Sequence, residues 1–244
     1  MNALTDQVAV VTGASGGIGT AIAHALAQRG VRLCLVGRDA EKLQVVADQA
    51  RQHPCYVSIH ETDLGIDSEV QRLVTELRDE HGGVDLLVHA AGVISVGETG
   101  QASIEALDRQ YRINGRAAYL LTQMLLPTLK ERRGQVVFIN SSAGLVSKAG
   151  VGQYAATKHA LKAFADSLRQ EVNADGVRVI SVYPGQTASP MQAALYEAAG
   201  KPYIPERLLR PADVAEVVLF ALSMPGSAEI TDVAIRSMIG PGVV

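Results

Sequence analysis

The sequence has no tryptophan, and only three phenylalanines and seven tyrosines among its 244 residues. It also lacks charge of one sign. Against 25 Asp and Glu stand 22 Lys and Arg, for a formal net charge of −3. With neither a basic field nor an aromatic stacking platform, nucleic acid is not an expected ligand. Two cysteines, Cys34 and Cys55, are too few for a disulfide scaffold. They read as buried thiols in a reducing, cytoplasmic compartment. Met1–Asp6 shows no basic region followed by an apolar core, so no secretory signal is expected. Residues 7–28 contain no Asp, Glu, Lys or Arg, a stretch long enough to span a bilayer. Gly13, Gly16, Gly17 and Gly19 interrupt it, beside Thr12 and Ser15. Such a cluster breaks a helix and would strand polar groups in lipid, so no membrane partner is expected. What the chain does have is 48% hydrophobic residues against 19% charged. That balance supplies a buried core and excludes disordered and fibrous classes.

Short β-branched runs alternate with segments of helical period. Strands are expected at Gln7–Thr12, Val31–Val36, Tyr56–His60, Val84–His89, Val136–Asn140, Val177–Tyr183 and Glu229–Arg236. Helices are expected at Gly17–Arg29, from an Asp39 cap to about Gln52, and at Ile66–His81, Ser103–Lys130, Gly152–Ala174 and Pro211–Ser223. Near-uniformly apolar strands between helices predict a parallel sheet covered on both faces. The expectation is a doubly wound α/β fold of Rossmann type, one domain over residues 1–244. Residues 188–210 read as the one long irregular stretch. They follow the sixth strand, where open α/β sheets carry ligand-covering lids.

At the first strand-to-helix junction stands Thr12-Gly13-Ala14-Ser15-Gly16-Gly17-Ile18-Gly19. Glycine admits positive φ and a close approach of backbone to ligand. The helix behind it offers free N–H groups and a positive dipole end to a pyrophosphate. Gly13, Ser15, Gly16, Gly17, Ile18 and Gly19 are therefore candidate cofactor contacts. About 20 residues on, an NAD-preferring dinucleotide fold places an acid against the ribose. Here Val36-Gly37-Arg38-Asp39 puts Gly37 at that place. Arg38 can bond a 2′-phosphate and stack on adenine, so NADP(H) is favoured over NAD(H). Asp39 keeps NAD(H) open, since its carboxylate could meet a ribose.

The fifth strand runs out into Asn140-Ser141-Ser142-Ala143-Gly144, at the sheet edge where such folds hold ligands. Thirteen residues after Ser141 comes Tyr154, and Lys158 lies one helical turn further, on the same face. With these residues in view, the chain resembles the short-chain dehydrogenase/reductase family over nearly its whole length. The matching features are Thr12–Gly19 for the family's TGxxxGxG, Asp63, His89-Ala90-Ala91-Gly92 for NNAG, Asn114, Ser141, Tyr154-x-x-x-Lys158 and Pro184-Gly185. His89 and Ala90 depart from the family's two asparagines, and His89 reads as structural. The C-terminal Glu229–Arg236 and its Gly-Pro-Gly end resemble the shorter NADP-type alcohol and carbonyl reductases.

The resemblance implies roles residue by residue. Tyr154 would be the general acid in reduction and the base in oxidation. A free phenol titrates near 10, too high for work near neutrality, and a cation such as Lys158 within a few Å is expected to lower it. Lys158 would also bond the nicotinamide ribose. Ser141 would donate to the substrate oxygen, and Asn114 would hold a water linking Lys158 to solvent. Helical flanks around Asn114-Gly115 point to a kink there rather than a hairpin turn. Asp63, with Leu64 after it, would contact the adenine. Ala91 and Gly92 would face the adenosine ribose, and Pro184, Gly185, Thr187 and Ser189 the nicotinamide carboxamide. No metal is expected. Ile94, Val96, Ala143, Val146, Gln186 and the 188–210 segment should line the substrate pocket, walls suited to a neutral or apolar carbonyl compound. The expected reaction is interconversion of a secondary alcohol and a ketone or aldehyde, in a homodimer or homotetramer. Two other classes stay open: a dinucleotide-binding sensor or interaction protein, and a cofactor-retaining epimerase or dehydratase.

Overall fold

A computed structural model describes residues 4–239. The ends of the expected 1–244 domain, and the Gly-Pro-Gly terminus, lie outside the described residues. Seven strands form one sheet: β1 (Val8–Thr12), β2 (Arg32–Gly37), β3 (Val57–Glu61), β4 (Leu86–His89), β5 (Gln135–Ile139), β6 (Arg178–Pro184) and β7 (Asp232–Ile235). Their spatial order is β3-β2-β1-β4-β5-β6-β7, and every pairing is parallel. The order reverses between β1 and β4, the switch point where doubly wound sheets open a crevice. The expected fold class is the observed one.

Among the described residues there are eight α-helices: α1 (Gly17–Ala27), α2 (Ala40–Ala50), α3 (Asp67–His81), α4 (Ile104–Tyr111), α5 (Ala117–Glu131), α6 (Gly152–Val172), α7 (Pro190–Ala198) and α8 (Pro211–Leu222). Two apolar clusters divide the core. One packs Leu33, Leu35 and Val182 under α1, α2 and α8 (Ile22, Leu43, Val218). The other packs Val10, Leu87 and Phe138 under α3, α5 and α6 (Leu73, Leu121, Leu161). β1 is buried along its whole length, which is why its sequence is apolar without alternation. Each such buried Leu or Ile contributes about 1.5–3 kcal/mol of transfer free energy.

The structure corrects three expectations. Residues 188–210 are not irregular throughout. Ser189 caps α7 by accepting the Gln192 N–H at 3.2 Å, Pro190 fills its first turn, and Pro205–Arg207 make a 3₁₀ turn. A proline at the first helical position pre-sets φ and hides a short helix from periodicity. Cys34 is buried in β2, but Cys55 is half-exposed. It lies in the link before β3, with its Sγ–H donating to Ala50 O at 3.3 Å. The expected 103–130 helix is present but divided. Arg112–Arg116 form a π-helical turn between α4 and α5, with Asn114 buried within it. Among the described residues no helix is long and apolar enough to cross a membrane.

Candidate active site

The glycine turn is held by its own shape. Gly13 has φ +63°, and a side chain there would lie 2.7 Å from Ala91 Cα. A Cβ on Gly19 would lie 2.2 Å from Gly13 O, so the start of α1 can close on the turn only as glycine. Thr12, buried at the end of β1, donates to Val88 O at 3.3 Å and accepts from the N–H groups of Ala90 and Ala91 at 3.1 and 3.2 Å. This draws Ala91 and Gly92 up to the turn. No side chain caps α1 at Gly16, which leaves its first N–H groups available to an anion. Ser15 and Gly37 are neighbours; a Cβ on Gly37 would sit 3.5 Å from Ser15 Oγ.

At the end of β2, Arg38 is exposed and Asp39 is engaged. The Asp39 carboxylate accepts the Lys42 N–H at 3.0 Å and pairs with Lys42 Nζ at 2.7 Å. Those bonds hold it below the usual carboxylate range. Asp63 accepts from Gly65 N at 2.8 Å while its own N–H donates to Glu69. Leu64 packs its side chain into the core.

Ser141 leaves β5 in extended conformation, and its Oγ accepts the Ala143 N–H at 3.1 Å. Tyr154 stands opposite on the first turns of α6. Burial raises its phenol above the ordinary value, opposed by a hydrogen bond with Ser141. Lys158, one turn on, is buried, donates to Ile139 O at 3.0 Å and lies 5.8 Å from the centre of the Tyr154 ring. Burial lowers its ammonium to about 8. The expected lowering of the Tyr154 phenol by Lys158 is therefore not what the protein's own groups produce. The ammonium is tied to a backbone carbonyl and faces the ring, so desolvation governs the phenol.

Asn114 is not hydrogen-bonded to Lys158. Its Oδ1 accepts Val93 N at 2.8 Å, and its Nδ2 donates to Val93 O at 2.9 Å and to Thr157 Oγ1 at 3.0 Å. The π-helical turn thus ties the segment after β4 to α6. Gln110, one turn earlier, repeats the device toward Ser95 and Gln153. Asn140 joins the other side, donating to Lys158 O at 3.1 Å. Gly144 must be glycine to admit it, since a Cβ there would meet Asn140 Oδ1 at 2.5 Å. Gln110 and Asn140 were not among the sequence candidates. Their signal was a lone amide in an otherwise apolar position, which periodicity does not read as function. His89 is buried, bonds Thr122 at 2.8 Å and stacks on Phe138 at 5.0 Å, a structural place as expected.

A cavity of about 620 Å³ opens between these parts. Ser141 and Tyr154 border it together with Ile18 of the glycine turn and the Pro184–Thr187 link. Ile94, Val96, Ala143, Val146 and Gln186 supply walls, and Met191, Leu195 and Tyr196 of α7 its cover. Arg38, Asp63 and Leu64 lie outside this cavity. Thr187 Oγ1 donates to Gly185 O at 3.0 Å, and both Thr187 and Ser189 line the cavity.

The family model described as short chain dehydrogenase matches residues 7–200. The chain belongs to that family. An uncharacterized oxidoreductase of Staphylococcus aureus strain USA300 is 33% identical over 237 residues, covering 97% of this chain and 99% of the relative. Among solved structures, the alcohol dehydrogenase of the archaeon Thermococcus sibiricus, complexed with 5-hydroxy-NADP, superposes with a TM-score of 0.87 at 27% identity over 98% and 99% of the two chains. The L-sorbose reductase of Gluconobacter frateurii, complexed with NADPH and L-sorbose, gives 0.87 at 25% identity over the full length of both. This short-chain dehydrogenase is accordingly an oxidoreductase.

Proposed function

We propose that this enzyme interconverts a secondary alcohol and a ketone or aldehyde with NADP(H), in one catalytic unit covered by residues 188–210. The observation that carries the reading is Ser141 and Tyr154 converging on one wall of a mostly apolar cavity beside the glycine turn, with Lys158 buried behind Tyr154. When bound, the dinucleotide supplies or accepts the hydride. Gly13, Ser15, Gly16, Gly17, Ile18 and Gly19 would hold its pyrophosphate, Ala91 and Gly92 the adenosine ribose, Asp63 and the Leu64 backbone the adenine. Pro184, Gly185, Thr187 and Ser189 would hold the carboxamide. Arg38 favours NADP(H): its guanidinium has no ion-pair partner among the described residues, while the rival Asp39 is engaged by Lys42.

Ser141 donates to the substrate oxygen and fixes it beside the phenol. Tyr154 gives its proton to that oxygen in reduction and takes the hydroxyl proton in oxidation. A phenol raised by burial is fully protonated near neutrality, the state reduction requires. Lys158 would bond the nicotinamide ribose, and Asn114, which ties the segment after β4 to α6, would hold the water that links Lys158 to solvent for the proton's return. Small-molecule carbonyl compounds are the substrates, and exposed Tyr111, Tyr119 and Phe220 suit burial against further copies of the chain. The test is a panel of ketones, aldehydes and alcohols assayed with NADPH and NADH. The reading expects net oxidation of NADPH, with a higher kcat/KM than NADH. Cofactor binding without turnover would favour a sensor, and turnover without net NADPH consumption an epimerase or dehydratase.

A further inference from the structure

The cavity wall carries two cations that the proposed chemistry does not use. Lys148 comes from the link between Gly144 and α6, and Lys201 follows α7. Each is placed by local geometry. Gly200, at φ +62°, ends α7; its N–H donates to Glu197 O at 2.9 Å and the Lys201 N–H to Tyr196 O at 2.9 Å. This crossed pair of bonds is a Schellman closure, and it turns Lys201 back toward the cavity. The Lys148 link is anchored by Gly97 N donating to Gly150 O at 2.8 Å. The two lysines thus stand on separate walls, one on the cover and one on the rim below it.

Neither ammonium has an ion-pair partner among the described residues, and no Asp or Glu lines the cavity. Glu197 and Glu206, the acids of the cover, are not part of the lining. This local positive charge opposes the −3 of the whole chain. Both lysines are exposed, whereas Ser141 and Tyr154 are half-buried, so the charge lies toward the open side and the chemistry further in. Between them the walls are apolar.

We propose that the carbonyl substrate carries an anionic group, a carboxylate or a phosphate, received by Lys148 and Lys201 while an apolar body fills the cavity. This rests on the oxidoreductase reading above and names the substrate class of the same site. It replaces the neutral compound that the expected wall residues alone suggested.

An oxooctanoate, its methyl ester, and an oxoalkyl phosphate of similar length, each assayed with NADPH, separate the possibilities. The wild type should prefer an anionic member over the ester in kcat/KM, and the carboxylate and phosphate arms identify which charge fits. Exposed pairs are individually weak and screened by salt. The acid-over-ester ratio should therefore fall about two- to fivefold in K148Q or K201Q and about tenfold in the double variant, and should shrink as ionic strength rises. A ratio near one in the wild type, or one unchanged in the double variant, overturns the proposal. If none of the three is turned over, the redox reading fails separately. Thermal protection then decides the inference: a rise in Tm with the anionic compounds but not the ester, lost in the double variant, supports it, and equal protection overturns it.

Discussion

At the residue scale, the site depends on side chains whose chemistry is set by burial more than by neighbouring charge. Tyr154 sits above its ordinary value and Lys158 below its own, both chiefly through desolvation. Tyr154→Phe keeps the ring and removes the phenolic proton. Turnover should fall at least about 100-fold, with NADPH binding retained by titration; substantial activity would remove the proton-transfer role. Arg38 makes a second test. A charge-assisted bond contributes about 1.5–3 kcal/mol, so Arg38→Gln should lower kcat/KM with NADPH by roughly 10- to 100-fold while leaving NADH little changed. Equal losses with both would show that Arg38 does not read the 2′-phosphate. The meeting of Ser141 and Tyr154 at one cavity was legible from the strand end and the helix spacing together with the family resemblance, because a helix face and a strand end are short-range geometry. Gln110, Asn140 and Thr157 were not, since each matters through a partner 15 to 43 residues away in sequence.

At the element scale, the glycine turn and the cap of α7 are in contact. A Cβ on Gly17 would lie 2.9 Å from Ser189 Cβ, at the cap of α7. Gly17→Ala should push that cap aside. The expected outcome is a KM for the carbonyl substrate raised several-fold and a Tm changed by only a few degrees, since α7 buries none of its residues fully. Steady-state kinetics beside a thermal melt would read both; an unchanged KM would mean that α7 moves independently of the turn. The π-helical turn at Arg112–Arg116 belongs to the same scale. The sequence marked it as a kink through Asn114-Gly115 in helical surroundings. That it is π-helical, and turns Asn114 inward onto Val93 and Thr157, follows from packing between α4, α6 and the segment after β4.

At the scale of the whole molecule, buried histidines make the fold sensitive to acid. Burial, with the Lys158 ammonium adding to it, lowers His89 from 6.5 to about 3. Above pH 6.5 both folded and unfolded chains carry it neutral, and its contribution to stability is fully present. Between pH 6.5 and 3 the unfolded chain takes a proton that the folded chain refuses, so stability falls with pH by up to about 1.4 kcal/mol per unit. His24 and His81 are lowered by burial in the same sense. His89→Asn, the residue usual in the family, should flatten the fall in unfolding free energy between pH 6.5 and 4, measured by urea titration at each pH; an unaltered slope would show that His89 titrates normally. Periodicity, glycine placement and the Ser–Tyr–Lys spacing were enough to determine an all-parallel doubly wound sheet and the family, because these signals arise from local backbone geometry and repeat length. Only the tertiary structure decided that Asp39 is occupied by Lys42, that the expected cover carries a helix, α7, and that two lysines without ion-pair partners line the cavity. Those depend on which side chains distant segments bring together, and a one-dimensional pattern carries no distance across the fold.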